Sequence, residues 1–253
     1  MPRILITNDD GIHSEGLGIL DERLRQLGEV VVVAPSHEMS AASRALTLTR
    51  PLRIVKIDES HYAVDGTPAD CVTLAMNKIL DGRPPDIVVS GINRGGNLGD
   101  DVFYSGTVAG AMEAIIYGLP GVAFSLIGRG QFDFGPAADF AVAAVAKILR
   151  DGLPERTVLN INLPRDPIRG VRLTRQGIKV VRTKIIEGTD PRGRQYYWIG
   201  EELAIWNHAE GTDYQAIRDG YISVTPLQSN LTNEEAFSQI ESWNALSYDL
   251  QPR

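Results

Sequence analysis

Asp9 and Asp10 stand side by side where the apolar run Ile4-Leu5-Ile6-Thr7 gives way to Asn8 and Gly11. A short β-branched run bounded by turn residues predicts a buried strand, and acids at its carboxyl end face the crevice where open α/β sheets bind ligands. Asn-Asp-Asp-Gly is also a good turn in its own right, because Asn and Asp tolerate left-handed backbone and Gly adopts it freely. The chemical reading therefore needs polar groups from other strand ends, and two further loops supply them. Ser36, Ser40 and Ser43 follow the run at 29–34, and Asn93 and Asn97 follow the run at 87–90. Parallel strands bring the three loops to one edge. Carboxylates, a hydroxyl and amides are oxygen donors, which suit Mg2+ or Mn2+ better than zinc. Such a cation orients phosphate, neutralises developing charge and acidifies water, so phosphate-ester hydrolysis is the chemistry this donor set predicts. Tyr104-Ser105-Gly106-Thr107-Val108 opens a helix with two hydroxyls and free backbone N–H groups, a ready phosphate site whose plainer alternative is an ordinary Ser or Thr cap.

The elements that must position these residues alternate. Leu17, Leu20, Leu24 and Leu27 recur at helical spacing before Gly28, and 29–34 is a near-continuous β-branched run, which together make a βαβ unit. Runs at 45–48, 52–57 and 62–64 predict a small antiparallel excursion near the sheet edge. Thr67 and Pro68 open a helix carrying Val72, Leu74, Ala75, Ile79 and Leu80, with Cys71 as a small buried hydrophobe. Strands at 121–126 and 158–163 flank a helix at 137–149. The glycines of 91–101 have neither the Gly-Lys-Ser/Thr ending of a P-loop nor dinucleotide spacing, which counts against ATPase and NAD sites. An α/β core over 1–165 with a mainly parallel sheet is expected.

Beyond Pro164 the rhythm changes to strand-like pieces at 171–174, 179–186, 196–199 and 221–225, with a turn at Asp190-Pro191-Arg192-Gly193. A terminal helix is expected over 233–245, capped by Thr232, with Phe237, Ile240 and Trp243 or Asn244 on its packing side. Residues 166–253 thus read as a β-hairpin arm, edge strands and a C-terminal helix that serve oligomerisation. A two-stranded ribbon is marginal in water unless its apolar face is covered, so the arm is expected to cross to a second subunit or fold back on its own core.

The net charge of -7 opposes binding to a nucleic-acid polymer. The single cysteine makes an intrachain disulfide impossible and favours a cytoplasmic setting. Neither a signal peptide nor a membrane span of about 18 apolar residues is expected.

Several motifs together resemble one family. Asn8-Asp9-Asp10-Gly11, Ala34-Pro35 with Ser40, Gly66-Thr67-Pro68-Ala69-Asp70-Cys71, Ser90-Gly91-Ile92-Asn93, Asn97-Leu98-Gly99-Asp100-Asp101-Val102 and Tyr104-Ser105-Gly106-Thr107-Val108 are similar to motifs of SurE, the survival-protein nucleotidase. Gly211-Thr212-Asp213 and 220–227 extend the resemblance over nearly the whole chain. It implies a Rossmann-like three-layer core and a divalent-metal phosphatase acting on nucleoside 5'- and 3'-monophosphates. It also implies a cytoplasmic homodimer or dimer of dimers. By motif match, one Mg2+ or Mn2+ per subunit falls to Asp9, Asp10, Ser40 and Asn93, and phosphate contacts fall to Asn97, Ser105, Gly106 and Thr107. Asp9 and Asp10 are the expected catalytic residues. One departure is Ala41, which follows Ser40 where many members have Gly; another is Ser36-His37-Glu38-Met39, which replaces a more basic loop.

Two other readings use the same residues. An aspartyl-phosphate phosphatase also places acids after a first strand, although typically as Asp-x-Asp, and a nucleotide sensor would use the metal for binding only. His13 reads as a loop residue beside the acids, His37 as a residue of the pocket rim, and His61 and His208 as histidines without a visible partner.

Overall fold

The structure is a computed structural model that describes residues 1–128, 130–180, 183–201, 205–206, 209–241 and 243. Strand β1 (Arg3–Thr7) runs into the Asp-Asp turn and is followed by helix α1 (Glu15–Leu24) and strand β2 (Glu29–Pro35). Ile4 and Ile6 pack with Leu17, Leu20 and Leu24 on one face of the sheet, whereas Leu5 packs with Cys71 and Val72 on the other. Side chains alternate across a strand, so burial on both faces requires a continuous apolar run, and that is why these strands lack polar alternation.

The edge excursion consists of β3 (Ile54–Lys56) and β4 (His61–Val64), which pair antiparallel, while β4 joins β2 in parallel. Residues 45–48, expected as a strand, form none. Their polar groups are taken up by side chains instead: Thr47 N donates to Asp70 Oδ1 at 2.9 Å, and Thr67 Oγ1 donates to the Ala45 carbonyl at 2.7 Å. Asp70 also completes a capping box with Thr67 at the start of helix α2 (Pro68–Leu74). Strand β5 (Ile87–Arg94), helix α3 (Gly106–Glu113), strand β6 (Gly121–Leu126), helix α4 (Gly135–Asp151) and strand β7 (Thr157–Leu163) complete the parallel core. Val108 and Ala111 of α3, with Ile115 in the 3-10 turn that follows it, pack on Ala123 and Val158.

The later strands are β8 (Val171–Leu173), β9 (Lys179–Val180), β10 (Thr183–Thr189), β11 (Gln195–Glu201) and β12 (Ile205–Trp206); they precede helix α5 (Asp213–Arg218) and strand β13 (Ile222–Gln228). Among the described residues one nine-stranded sheet has the order β3-β4-β2-β1-β5-β6-β7-β13-β8. The boundary expected at 165/166 therefore falls inside this sheet, because β13 pairs antiparallel with β7 and carries β8 beside it. Strands β10 and β11 form the expected hairpin, closed by Asp190, whose carboxylate accepts from the backbone of Arg192 and Arg194. The terminal helix is shorter than expected among the described residues. A 3-10 turn at Glu234–Ala236 leads into α6 (Phe237–Glu241), and Phe237 and Ile240, expected to pack, are exposed. Asn244, Ala245, Val181 and His208 lie outside the described residues. No helix among the described residues is long and apolar enough to cross a membrane.

Candidate active site at the carboxyl edge of the sheet

Asp9, Asp10, Ser40, Asn93, Asn97 and Ser105 all line one cavity of about 1480 Å3 at the carboxyl ends of β1, β2 and β5. The turn that presents the two acids is built by Asn8, whose Nδ2 donates to the Gly11 carbonyl at 3.0 Å and to Ser14 Oγ at 2.7 Å. Gly11 has φ +97, and a Cβ there would come within 3.3 Å of the His37 backbone. Only glycine fits that conformation and that approach without strain. The close approach joins the Asp-Asp turn to the Ser40 loop, and Met39 N donates to the Asp9 carbonyl at 2.7 Å to fasten it. Farther along, Ser43 N donates to the Tyr104 carbonyl at 3.0 Å and Arg44 pairs with buried Glu113 at 2.8 Å, which anchors the loop to α3.

Asp9 is almost fully buried against the start of α3. The Thr107 hydroxyl donates to its Oδ1, and a Cβ on Gly106 would meet Asp9 Cβ at 2.7 Å. Burial raises the Asp9 pKa, while the Thr107 hydroxyl and nearby backbone N–H groups pull it back. Burial also pushes Asp10 up to about 6, with the neighbouring Asp9 charge adding to it and a hydrogen bond from Arg94 N, 3.2 Å long, opposing it. Two adjacent carboxylates with Glu38 beside them concentrate negative charge that a cation would relieve. Ser40 Oγ donates to Glu38 Oε1 at 2.7 Å, which leaves its lone pairs to accept or ligate; Asn93 Nδ2 donates to the Gly95 carbonyl at 2.9 Å, which leaves its amide oxygen to do the same. Among the described residues no three His, Cys, Asp or Glu side chains cluster for a metal. The donors that meet here are two carboxylates, a hydroxyl and an amide, an all-oxygen set that fits a hard divalent cation.

The phosphate-contact candidates divide. Asn97 and Ser105 line the cavity, whereas Gly106 and Thr107 are buried beneath Asp9 and do not. Ser105 caps α3, its Oγ accepting from Val108 N at 3.0 Å, so the cap expected from sequence is present in the cavity wall itself. His13 is an exposed rim residue, and His37 does not line the cavity. His61, expected without a visible partner, contacts Asp58 at 2.8 Å and Asp21 at 3.3 Å, and none of the three lines the cavity. Cys71 is fully buried and its thiol is pushed well up by burial, which makes it inert.

The family is decided by comparison. The family described as Survival protein SurE matches residues 4–183. The chain belongs to the SurE family. A 5'-nucleotidase SurE from Aquifex aeolicus is 47% identical over 245 residues, covering 95% of this chain and 98% of that protein. A second 5'-nucleotidase SurE, from Pelobacter propionicus, is 49% identical over 244 residues, with 95% and 98% covered. The crystal structure of the SurE protein from Aquifex aeolicus aligns with a TM-score of 0.84 at 47% identity over 95% of this chain.

Within this SurE chain, several site residues escaped sequence reasoning. Lys179, at the root of the arm, lines the cavity with only 8% of its side chain exposed and pairs with Asp101 at 2.7 Å. Asp213 is fully buried, and its carboxylate accepts from Gly99 N and Gly177 N at 2.9 Å each. It thereby ties the cavity wall at 99–103 to the arm root, and the signal was the Gly-Thr-Asp motif, to which no role had been given. Ile199 and Gly200 bring the hairpin itself to the cavity.

Proposed function

We propose that the protein is a divalent-metal-dependent 5'-nucleotidase that hydrolyses nucleoside 5'-monophosphates, and also 3'-monophosphates, to nucleoside and phosphate by attack of water. The observation that carries this reading is the contact of Asp9 with the start of α3: the Thr107 hydroxyl donates to a carboxylate of the cation-ligand set. Cation ligands and phosphate-holding groups are thus parts of one wall. The names of the relatives from Aquifex aeolicus and Pelobacter propionicus support the substrate class.

Asp9, Asp10, Ser40 and Asn93 would hold one Mg2+ or Mn2+. When bound, such a cation supplies positive charge to the phosphate oxygens and acidifies water. Asn97 and Ser105 hold the phosphate beside the start of α3, while Gly106 and Thr107 act from beneath the cavity floor by holding Asp9. Asp9 orients the attacking water and takes its proton, a new O–P bond forms, and the bond from phosphorus to the ribose oxygen breaks. The leaving oxygen acquires a proton from solvent.

The hairpin of β10 and β11 is proposed as an arm exchanged in a two-fold dimer, or a dimer of dimers, of a cytoplasmic protein. Its support is apolar surface without cover: Ile185, Ile186, Tyr197, Trp198 and Ile199 are each at least half exposed. A panel of nucleoside monophosphates with Mg2+, Mn2+ or Co2+ tests the catalytic reading. Phosphate release abolished by chelation is expected. Tight nucleotide binding without release would assign a sensor, and a trapped phosphoryl group on Asp9 or Asp10 would assign the covalent route.

A further inference from the structure

From Val158 onward strand β7 reads Val158-Leu159-Asn160-Ile161-Asn162-Leu163, apolar except for two asparagines two residues apart and hence on one face. Both are fully buried, on a strand that pairs with β6 so that Asn162 lies opposite Ser125. Buried amides lower stability unless their hydrogen bonds are met; Asn160 Oδ1 has no partner among the described residues, and three bonds of these two amides go to one residue. Asn97 N donates to Asn162 Oδ1 at 2.8 Å, and the Asn97 carbonyl accepts from Asn162 Nδ2 at 3.1 Å and from Asn160 Nδ2 at 2.8 Å. The Asn162 amide therefore exchanges two bonds with the main chain of Asn97, as one residue does with its opposite number in an antiparallel ladder. The side chain is held as well: Asn97 Nδ2 donates to Ser125 Oγ at 2.8 Å, and Ser125 is fully buried.

An amide nitrogen carries two hydrogens. Ser125 accepts one, which fixes where the Asn97 side chain sits in the cavity wall, and the second remains to donate to a phosphate oxygen. A phosphate site needs donors held in place, and an amide free to swing would meet the phosphate only part of the time. We propose that Ser125, Asn160 and Asn162 are positioning residues that hold Asn97 in the cavity wall where it meets the substrate phosphate. Asn160 and Asn162 set the height of the loop above the sheet, and Ser125 holds the side chain. The proposal rests on the reading that Asn97 contacts phosphate.

The test is a double-mutant cycle on Asn97 and Ser125 in the full-length protein, read by calorimetric binding of inorganic phosphate in the presence of Mn2+, with Mn2+ affinity and thermal midpoint measured alongside. Loss of one well-placed hydrogen bond corresponds to about a 10-fold weakening. Ser125→Ala is expected to weaken phosphate binding by about that factor and to raise KM for a nucleoside monophosphate in step, with Mn2+ affinity unchanged. In the Asn97→Ala background the same Ser125→Ala change is expected to have no further effect, because the group it orients is gone. Additive effects, or unaltered phosphate binding in Ser125→Ala, overturn the positioning role. If Asn97→Ala itself leaves phosphate binding intact, the failure belongs to the assignment of Asn97 and not to Ser125. Asn160→Ala, which leaves Asn162 still bonded to the Asn97 carbonyl, gives a second reading should Ser125→Ala not fold: a few-fold loss of phosphate affinity supports the platform, and none contradicts it.

Discussion

The cavity and the hairpin arm treat their side chains in opposite ways. In the cavity polar groups are held by hydrogen bonds, several from other elements: Asp9 by Thr107, Asp10 by Arg94, and Asn97 by Ser125, Asn160 and Asn162, with Ser40 held by Glu38 of its own loop. On the arm, apolar groups on both faces of a two-stranded ribbon meet solvent, with Trp198 66% and Ile199 82% exposed. A site held within one chain is preorganised before any ligand arrives, whereas a ribbon exposed on both faces is left uncovered by the described residues of its own chain. Lys179 and Asp213 join the two regions, since both tie the arm root to the cavity wall at 99–103.

The sharpest way to break this contrast is Asp10→Asn. It removes one of the two charged groups proposed to hold the cation without changing side-chain volume, so Mn2+ affinity and turnover are expected to fall by at least about 100-fold while circular dichroism stays native. Unchanged Mn2+ binding would remove Asp10 from the site. The same variant carries a pH signature. Burial and Asp9 raise Asp10 from its ordinary value of 3.8 to about 6, so the cation-free fold is favoured by the protonated acid at low pH and loses that contribution as pH rises through about 6. In chelator, the thermal midpoint of the parent protein is expected to decline between those two values relative to Asp10→Asn; parallel profiles would contradict the shift.

Next in size is the arm. Replacing Ile185 to Trp198 with a short glycine linker keeps Lys179 and Asp213 and is expected to turn a dimer into a monomer with Mn2+ affinity retained. A full-length protein that sediments as a monomer at micromolar concentration defeats the exchanged arm. Thr107→Val is expected to cost roughly 10-fold in turnover and to weaken Mn2+ binding as well, because its hydroxyl is bonded to Asp9 and does not reach the cavity. Loss of phosphate affinity alone would restore Thr107 to direct contact with the ligand. The smallest effect is expected at Ala41, whose φ of +58 lies in the left-handed region beside Ser40. Ala41→Gly relieves a conformational cost of about 1 kcal/mol, offset in part by greater freedom of the unfolded chain, and a rise in thermal midpoint of a few degrees or less is the expected reading.

The parallel core was legible because burial on both faces forces apolar runs, and the polar interruptions at Asp9, Asp10, Asn93 and Asn97 then stand out. The stretch at 45–48 misled because Leu46 and Leu48 mimic alternation, while the bonds that decide its conformation come from Thr67 and Asp70, about 20 residues away. Strand β13 was visible as a strand, but its place beside β7 depends on long-range pairing that no local pattern carries. Asn160 and Asn162 left a signal, two amides on one face of an otherwise apolar strand. Their shared partner was hidden because Asn97 lies more than 60 residues earlier. Thr107 showed the converse limit: a hydroxyl at a helix start looks the same whether it meets a ligand or a carboxylate.

The most direct measurement is anomalous diffraction from crystals of the protein grown with Mn2+ and inorganic phosphate. The predicted result is a single manganese peak about 2.2 Å from oxygens of Asp9, Asp10, Ser40 and Asn93, with a phosphate beside it on Asn97 and Ser105. A manganese peak away from these four residues, or a phosphate that does not touch Asn97 and Ser105, would contradict it.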